Sequence, residues 1–228
     1  MNDRIVVITG ATGGLGQTVT RRWLEAGAKV VAVGSRPESL DALGGHERLA
    51  TMAADLARAE GALDVVRFAR GAFGAPDTLL HLAGGFAMGP TEDEGAVAIW
   101  QRMMRVNVET ALHAYRAVIP AMRERGGGSI VGISSRAARS PGAQIGAYAA
   151  SKAALEALSR SLAEELRPDQ IRVNLIATST IDTPANRAAM GGSSKWVTPD
   201  QLADAALFLA SDAASAITGT VMDVFGDA

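Results

Sequence analysis

Ile5-Val6-Val7-Ile8-Thr9-Gly10-Ala11-Thr12-Gly13-Gly14-Leu15-Gly16 is the stretch that decides the fold. Its first four residues are β-branched and apolar on both faces, as in a strand covered by helices on each side of a sheet. Glycines at 10, 14 and 16 follow, spaced G-x-x-x-G-x-G rather than G-x-G-x-x-G. They let the backbone turn tightly and approach a pyrophosphate, which then faces the free amides of a new helix. A glycine cluster alone marks only a tight strand–helix turn. Its place after the first strand makes a nucleotide-binding turn the better reading.

Outward from this turn, short β-branched runs alternate with longer helical patterns. The strands are expected at Arg4–Thr9, Lys29–Val33, Leu49–Ala53, Thr78–His81, Ser129–Ser134, Arg172–Ile176 and Thr220–Val224. Apolar residues at three- and four-residue spacings predict helices over Gln17–Ala26, Gly61–Ala72, Ala96–Arg125, Ala147–Leu166 and Pro199–Ala210. Thr198 is the expected N-cap of the last, with Pro199 at its first position. Strand–helix alternation implies parallel pairing. The expected fold class is therefore α/β: a single doubly wound, Rossmann-type parallel sheet with helices on both faces, in one domain over residues 1–228. Ligands of such sheets bind at the carboxyl ends of the strands. The stretch Thr178–Val197 reads as irregular, either a surface loop or a substrate lid, and the lid is favoured.

The bulk properties exclude several classes. The chain has 228 residues, 48% apolar and 20% charged, as in an ordinary globular protein. Its net charge of -2 gives no pull toward nucleic acid or anionic membrane. It has no cysteine, which removes disulfides, thiolate metal sites and a cysteine nucleophile. His46, His81 and His113 show no metal-ligand spacing, so no metal is expected. No stretch reads as a bilayer span or a signal-peptide core, and a cytoplasmic protein is expected.

The second strand ends Val33-Gly34-Ser35-Arg36, without the acid that would hold the ribose 2′-hydroxyl of NAD. Arg36 can pair with a 2′-phosphate and Ser35 can donate to it, so NADP is favoured and NAD is the alternative. Arg36 also reads as a plain solvated charge. Asp55-Leu56 follows the third strand, where Asp55 suits either an adenine amino group or a helix N-cap. The small residues of Leu82-Ala83-Gly84-Gly85, after the fourth strand, let a flat cofactor pass close to the backbone. Met88, Met190 and Trp196 suit an apolar pocket, though ordinary packing is the commoner use of such residues.

Tyr148 and Lys152 lie four apart and so share one helix face. An ammonium near a phenol is expected to lower the phenol's pKa, which makes Tyr148 an acid/base near neutral pH. At other sites such a pair is usually surface decoration. Ser135 follows the apolar run Ile130–Ile133, at a strand's carboxyl end, and can hold a substrate carbonyl or simply serve a turn. Asn107 sits inside a helical pattern at a propensity cost, which suits a buried hydrogen-bonding role.

Taken in this order, these motifs resemble the short-chain dehydrogenase/reductase family over nearly the whole chain. The match is 3-oxoacyl-reductase-like, within an outlying subgroup. Thr9 through Gly16 match its T-G-x-x-x-G-x-G turn, and Asp55 its Asp after the third strand. Leu82-Ala83-Gly84 loosely match its N-N-A-G, and Ile171-Arg172-Val173-Asn174 its I-R-V-N strand. The resemblance implies Asn107, Ser135, Tyr148 and Lys152 as the catalytic set. Tyr148 would be the acid/base and Ser135 would orient the carbonyl. Lys152 would tune Tyr148 and bind the nicotinamide ribose, and Asn107 would support a water-linked proton relay. It implies cofactor contacts at Gly10, Thr12, Gly13, Gly14, Leu15, Gly16, Ser35, Arg36, Asp55, Leu56, Ala83, Gly84, Tyr148, Lys152, Ile181 and Thr183. It further implies a small carbonyl or alcohol substrate and a homodimer or homotetramer built partly on the Ala147–Leu166 helix.

Three departures stand out. The family's Pro-Gly after the sixth strand is Thr178-Ser179, the first Asn of N-N-A-G is His81, and the C-terminal V-D-G-G is Val224-Phe225-Gly226-Asp227. Two rival readings accompany the oxidoreductase. One is a catalytically weak nucleotide-binding sensor or scaffold, disfavoured by the intact catalytic set. The other is a sugar-nucleotide epimerase or dehydratase of the extended branch, disfavoured by the short chain.

Overall fold

The structure, a computed structural model, describes residues 1–227. Seven strands form one sheet: β1 Ile5–Thr9, β2 Lys29–Gly34, β3 Leu49–Ala53, β4 Thr78–His81, β5 Gly128–Ser135, β6 Ile171–Thr178 and β7 Val221–Val224. Their order is β3-β2-β1-β4-β5-β6-β7, and every pairing is parallel. The helices are α1 Gly14–Glu25, α2 Ala59–Ala72, α3 Ala96–Met104, α4 Thr110–Glu124, α5 Gly146–Glu165, α6 Pro184–Met190 and α7 Pro199–Ala210.

Alternation along the strands sorts their side chains into two layers. From β1, Val7 enters a cluster with Val65 of α2, Ala114 and Val118 of α4 and Leu155 of α5. Val6 and Ile8 enter the other, with Trp23 of α1 and Leu202 and Ala206 of α7. Burying each large side chain contributes about 1.5–3 kcal/mol. That is why the strands read apolar on both faces, and it makes the sheet doubly wound as expected. The strand order reverses between β1 and β4, where Thr9 pairs with His81 in register. The two turns that leave these strands therefore lie side by side.

Besides shifts of one or two residues at other element ends, the structure departs from the sequence expectations in three places. The helix expected over Ala96–Arg125 is interrupted by a π-helical turn, Arg105–Glu109, between α3 and α4. α1 starts at Gly14 rather than Gln17, because two of its first three residues are glycines, which break the apolar spacing around Leu15. The stretch Thr178–Val197 is not wholly irregular. It holds α6, capped by Thr183 with Pro184 at its first position, and Ile181 bridges Val197 across its base. No described helix is long and apolar enough to cross a membrane.

At the start of α7 the Thr198 hydroxyl accepts the Gln201 amide and the Gln201 side chain accepts the Thr198 amide, a reciprocal capping box. Thr198→Ala removes one of these acceptors and should cost about 1 kcal/mol. A lower urea midpoint with an unchanged slope is the expected readout.

Candidate active site

Thr9 organises the point where the strand order reverses. Its Oγ1 accepts the Ala83 amide at 3.3 Å and is bonded to His81 Nδ1 at 3.0 Å. Gly10 follows with φ of 67°. A Cβ there would stand 2.7 Å from the Ala83 nitrogen, so only glycine lets the turns after β1 and β4 come this close. α1 then begins behind Gly13, which offers no side-chain cap. The start of α1 thus presents backbone N–H groups at the carboxyl edge of the sheet. A Cβ on Gly14 would meet the Thr183 side chain at 2.9 Å. The base of α6 therefore packs directly on the glycine turn, bringing together two residues far apart in the chain.

At the end of β2, Gly34 is buried while Ser35 and Arg36 are exposed. A Cβ on Gly34 would stand 2.9 Å from Thr12 Cγ2 and 3.2 Å from Leu40 Cδ2. The place of the missing acid is thus filled by neighbouring side chains. Asp55 is exposed, and its Oδ1 accepts the Ala57 amide at 3.0 Å. α2 starts four residues later, behind Arg58, so Asp55 caps a turn and not that helix. Leu56 turns its side chain into the core.

Asn107 is 1% exposed and lies in the π-helical turn. Its Oδ1 accepts the Gly85 amide at 2.9 Å, and its Nδ2 donates to the Gly85 carbonyl at 3.1 Å and to Ser151 Oγ at 3.0 Å. The side chain is thus spent on the backbone after β4 and on α5. Ser135 closes β5, and its Oγ accepts the Ala137 amide at 3.2 Å, capping a short 3₁₀ turn. The turn reading of Ser135 is thus met directly, and its hydroxyl also bears on Tyr148, whose pKa it works to lower. Tyr148 and Lys152 stand on the same face of α5, with Lys152 Nζ 6.0 Å from the phenol ring centre. Nζ donates to the Ile133 carbonyl at 2.8 Å, and a Cβ on Gly84 would lie 3.5 Å from it.

The electrostatics correct one expectation. Burial pushes the Tyr148 pKa up, with the Ser135 hydrogen bond working the other way. Lys152 does not lower it: the ammonium is directed at Ile133 O, and burial pushes its own pKa down to about 8. In this state the cation is short of compensation rather than supplying it.

Two residues here escaped the sequence reading. Phe86 sets its ring 5.0 Å from that of Tyr148, edge to face at 74°; its signal was an aromatic directly after a run of small residues. His81, which the sequence shows only to lack metal-ligand spacing and to replace the family's Asn, is buried beneath the site at 2% exposure. Its Nε2 lies 3.4 Å from Thr110 Oγ1, which itself donates to the Val106 carbonyl. Since that hydroxyl proton is committed, Nε2 carries the imidazole proton and Nδ1 accepts from Thr9.

Residues 4–191 match the short chain dehydrogenase family, and the chain belongs to it. It is 31% identical over 245 residues to D-threitol dehydrogenase of Mycolicibacterium smegmatis, covering 99% of this chain and 93% of that protein. It superposes on 3-ketoacyl-(acyl-carrier-protein) reductase from Brucella melitensis complexed with NADH, with a TM-score of 0.91, 30% identity and 99% and 98% of the two chains covered. It also superposes on L-sorbose reductase from Gluconobacter frateurii complexed with NADPH and L-sorbose, with a TM-score of 0.89, 29% identity and 99% and 96% covered. The protein is an NAD(P)-dependent oxidoreductase of this family. The site fits a dinucleotide on its own terms, with an uncapped helix start behind a glycine turn and open backbone at Gly84.

Burial, then the Lys152 cation, pushes the His81 pKa down from 6.5 to about 3. The folded state therefore refuses a proton that the unfolded chain accepts below about 6.5. Stability should be intact above that pH and fall as pH drops from there toward 3, by about 2 kcal/mol at pH 5. His81→Asn, which restores the residue usual in the family, should lose this part of the slope. Urea unfolding of both proteins at pH 7 and pH 5 checks it, and parallel slopes would show that His81 is not the group refusing the proton.

Proposed function

We propose that the protein reduces a carbonyl compound with NADP(H) as its preferred cofactor, and runs as an alcohol dehydrogenase in reverse. The observation that carries this reading is the meeting of Ser135, Tyr148 and Lys152 at the carboxyl edge of the sheet, beside the uncapped start of α1. When bound, the cofactor supplies or accepts the hydride. Tyr148 donates the proton to the carbonyl oxygen, which the Ser135 hydroxyl orients. Lys152, held beside the phenol by its bond to the Ile133 carbonyl, holds the nicotinamide ribose, and the Ser135 hydroxyl is the group that eases the proton off Tyr148. Asn107 positions Gly85 and α5 around them. A nucleotide sensor would have no use for an ammonium held buried beside a phenol, which favours the enzyme.

In this reading the turn from Gly10 to Gly16, with Thr12, Gly13, Gly14 and Leu15, holds the diphosphate. Asp55 and Leu56 contact the adenine, and Ala83 and Gly84 admit the cofactor. Tyr148 and Lys152 hold the ribose, and Ile181 and Thr183 the nicotinamide end. Ser35 and Arg36 receive the 2′-phosphate, which meets no acid at Gly34. A cytoplasmic protein of one domain, assembled as a homodimer or homotetramer partly through α5, completes the proposal.

Tyr148→Phe keeps the ring and removes the proton. Turnover should fall by about 10²–10⁴-fold while NADPH still binds; near-normal turnover in the purified variant would remove Tyr148 from the chemistry. Arg36→Ala should weaken NADPH by roughly tenfold, the low end for a charge-assisted contact because Arg36 is exposed, and leave NADH nearly unchanged. Fluorescence titration with both reduced cofactors decides it. Tighter NADH binding by the unmutated protein, with neither constant moved by Arg36→Ala, would reverse the NADP assignment.

A further inference from the structure

Between β4 and α3 the chain crosses beside Tyr148 as an arch, residues 85–89, that is pinned at both ends. At Gly85 the Asn107 amide holds both backbone groups, at 2.9 and 3.1 Å. At Gly89 the backbone N–H donates to the Gln144 carbonyl at 2.8 Å, four residues before Tyr148. Gln144 takes φ of 63°, which few side chains adopt freely. The span between is Phe86-Ala87-Met88. Phe86 is 55% exposed and Met88 53%, although both are large and apolar.

The arch has no charged or hydrogen-bonding side chain, so a hydroxyl-rich substrate finds no partner on it. A ring does. Phe86 stands edge to face with Tyr148, 5.0 Å away, and much of its surface remains open. Aromatic rings favour offset or edge-on partners beyond the area they bury, and Met88 on the same arch offers an adaptable apolar flank. Because the backbone is pinned, the ring stays beside the phenol that delivers the proton. Resting on the carbonyl-reductase reading, we propose that the substrate carries a flat aromatic ring directly on its carbonyl carbon, and that Phe86 is the residue that selects it. This sets the protein apart from its relatives named for D-threitol and L-sorbose, whose substrates are hydroxyl-rich.

The test compares phenyl methyl ketone, cyclohexyl methyl ketone and L-sorbose as substrates with NADPH and with NADH. The first two differ in the flatness of the ring and little in size. The phenyl ketone should give the highest kcat/KM. Phe86→Ala should lower that value about five- to tenfold and change the cyclohexyl ketone by less than about twofold, while Phe86→Tyr retains the preference. Saturation transfer to phenyl methyl ketone, with oxidised cofactor present, reads binding without turnover and should weaken in Phe86→Ala. An equal loss on both ketones would make Phe86 a brace for Tyr148 and overturn the proposal, as would a preference for L-sorbose. Either result leaves the reductase reading standing. Cofactor binding with no reduction of any of the three would overturn both.

Discussion

The site depends on one buried amide. Asn107 reaches from the π-helical turn to hold both backbone groups of Gly85 and the Ser151 hydroxyl of α5. Three pieces of chain with no sequence proximity are fixed by these bonds: the turn after β4, the junction of α3 and α4, and the face of α5 that carries Tyr148 and Lys152. A buried amide left unpaired costs about 1–3 kcal/mol, so this geometry is strongly favoured over its alternatives. The π turn follows from the same demand. One wider turn in the helix lets the Asn107 side chain reach across, and such turns often occur at functional sites.

Around that amide the protein tolerates two titratable groups in a dry place. Lys152 and His81 are both buried, and burial lowers the pKa of each. The cation on Lys152 also discourages a second charge on His81, which keeps the imidazole neutral and able to link Thr9 with Thr110. Thr9 in turn holds Ala83, so the spacing of the two turns at the reversal point rests on an uncharged histidine. The arrangement keeps one ammonium near the phenol. The cost is a fold that weakens in acid.

Much of the sheet was legible because burial on both faces writes itself as apolar, mostly β-branched runs, as in Ile5–Ile8 and Val30–Val33; Leu49–Ala53 and Thr78–His81, which lack such runs, were legible from their length and flanking residues and match to the residue. The interruption at Arg105–Glu109 was not legible, since one extra residue in a helical turn hardly alters the spacing of apolar side chains. α6 was hidden by its length of seven residues, although Thr183-Pro184 is a cap signal of the same kind as Thr198-Pro199. The pairing of Tyr148 with Lys152 could be read from helical spacing. The direction of the Tyr148 pKa could not, because it depends on how much water the folded chain removes from the phenol and on where Nζ is aimed. Phe86 was missed for a related reason. The value of an aromatic residue in a loop depends on which ring it meets, and Tyr148 is 62 residues away in the chain.

Two of the departures from the family pattern turn out to be one physical unit. The Ser179 hydroxyl, in the pair that replaces Pro-Gly, donates to the Phe225 carbonyl at 2.7 Å, within the segment that replaces V-D-G-G. Phe225 also lies under the Arg136 guanidinium, 6.0 Å from the ring centre, and Arg136 directly follows Ser135. Asp223 pairs with Arg139 on the same stretch. Gly226 then passes so close to the Lys195 carbonyl that a Cβ would stand 2.8 Å from it. The C-terminal strand and its extension thereby tie the turn after Ser135 to both ends of the Ser179–Val197 segment. A proline at 178 or 179 fixes a backbone angle without any partner, whereas a serine fixes its position only through the acceptor it finds. Replacing Pro-Gly thus transfers the shaping of that loop from local backbone stiffness to a contact with residue 225. The two changes are consistent with each other for that reason, and neither reaches Tyr148 or Lys152.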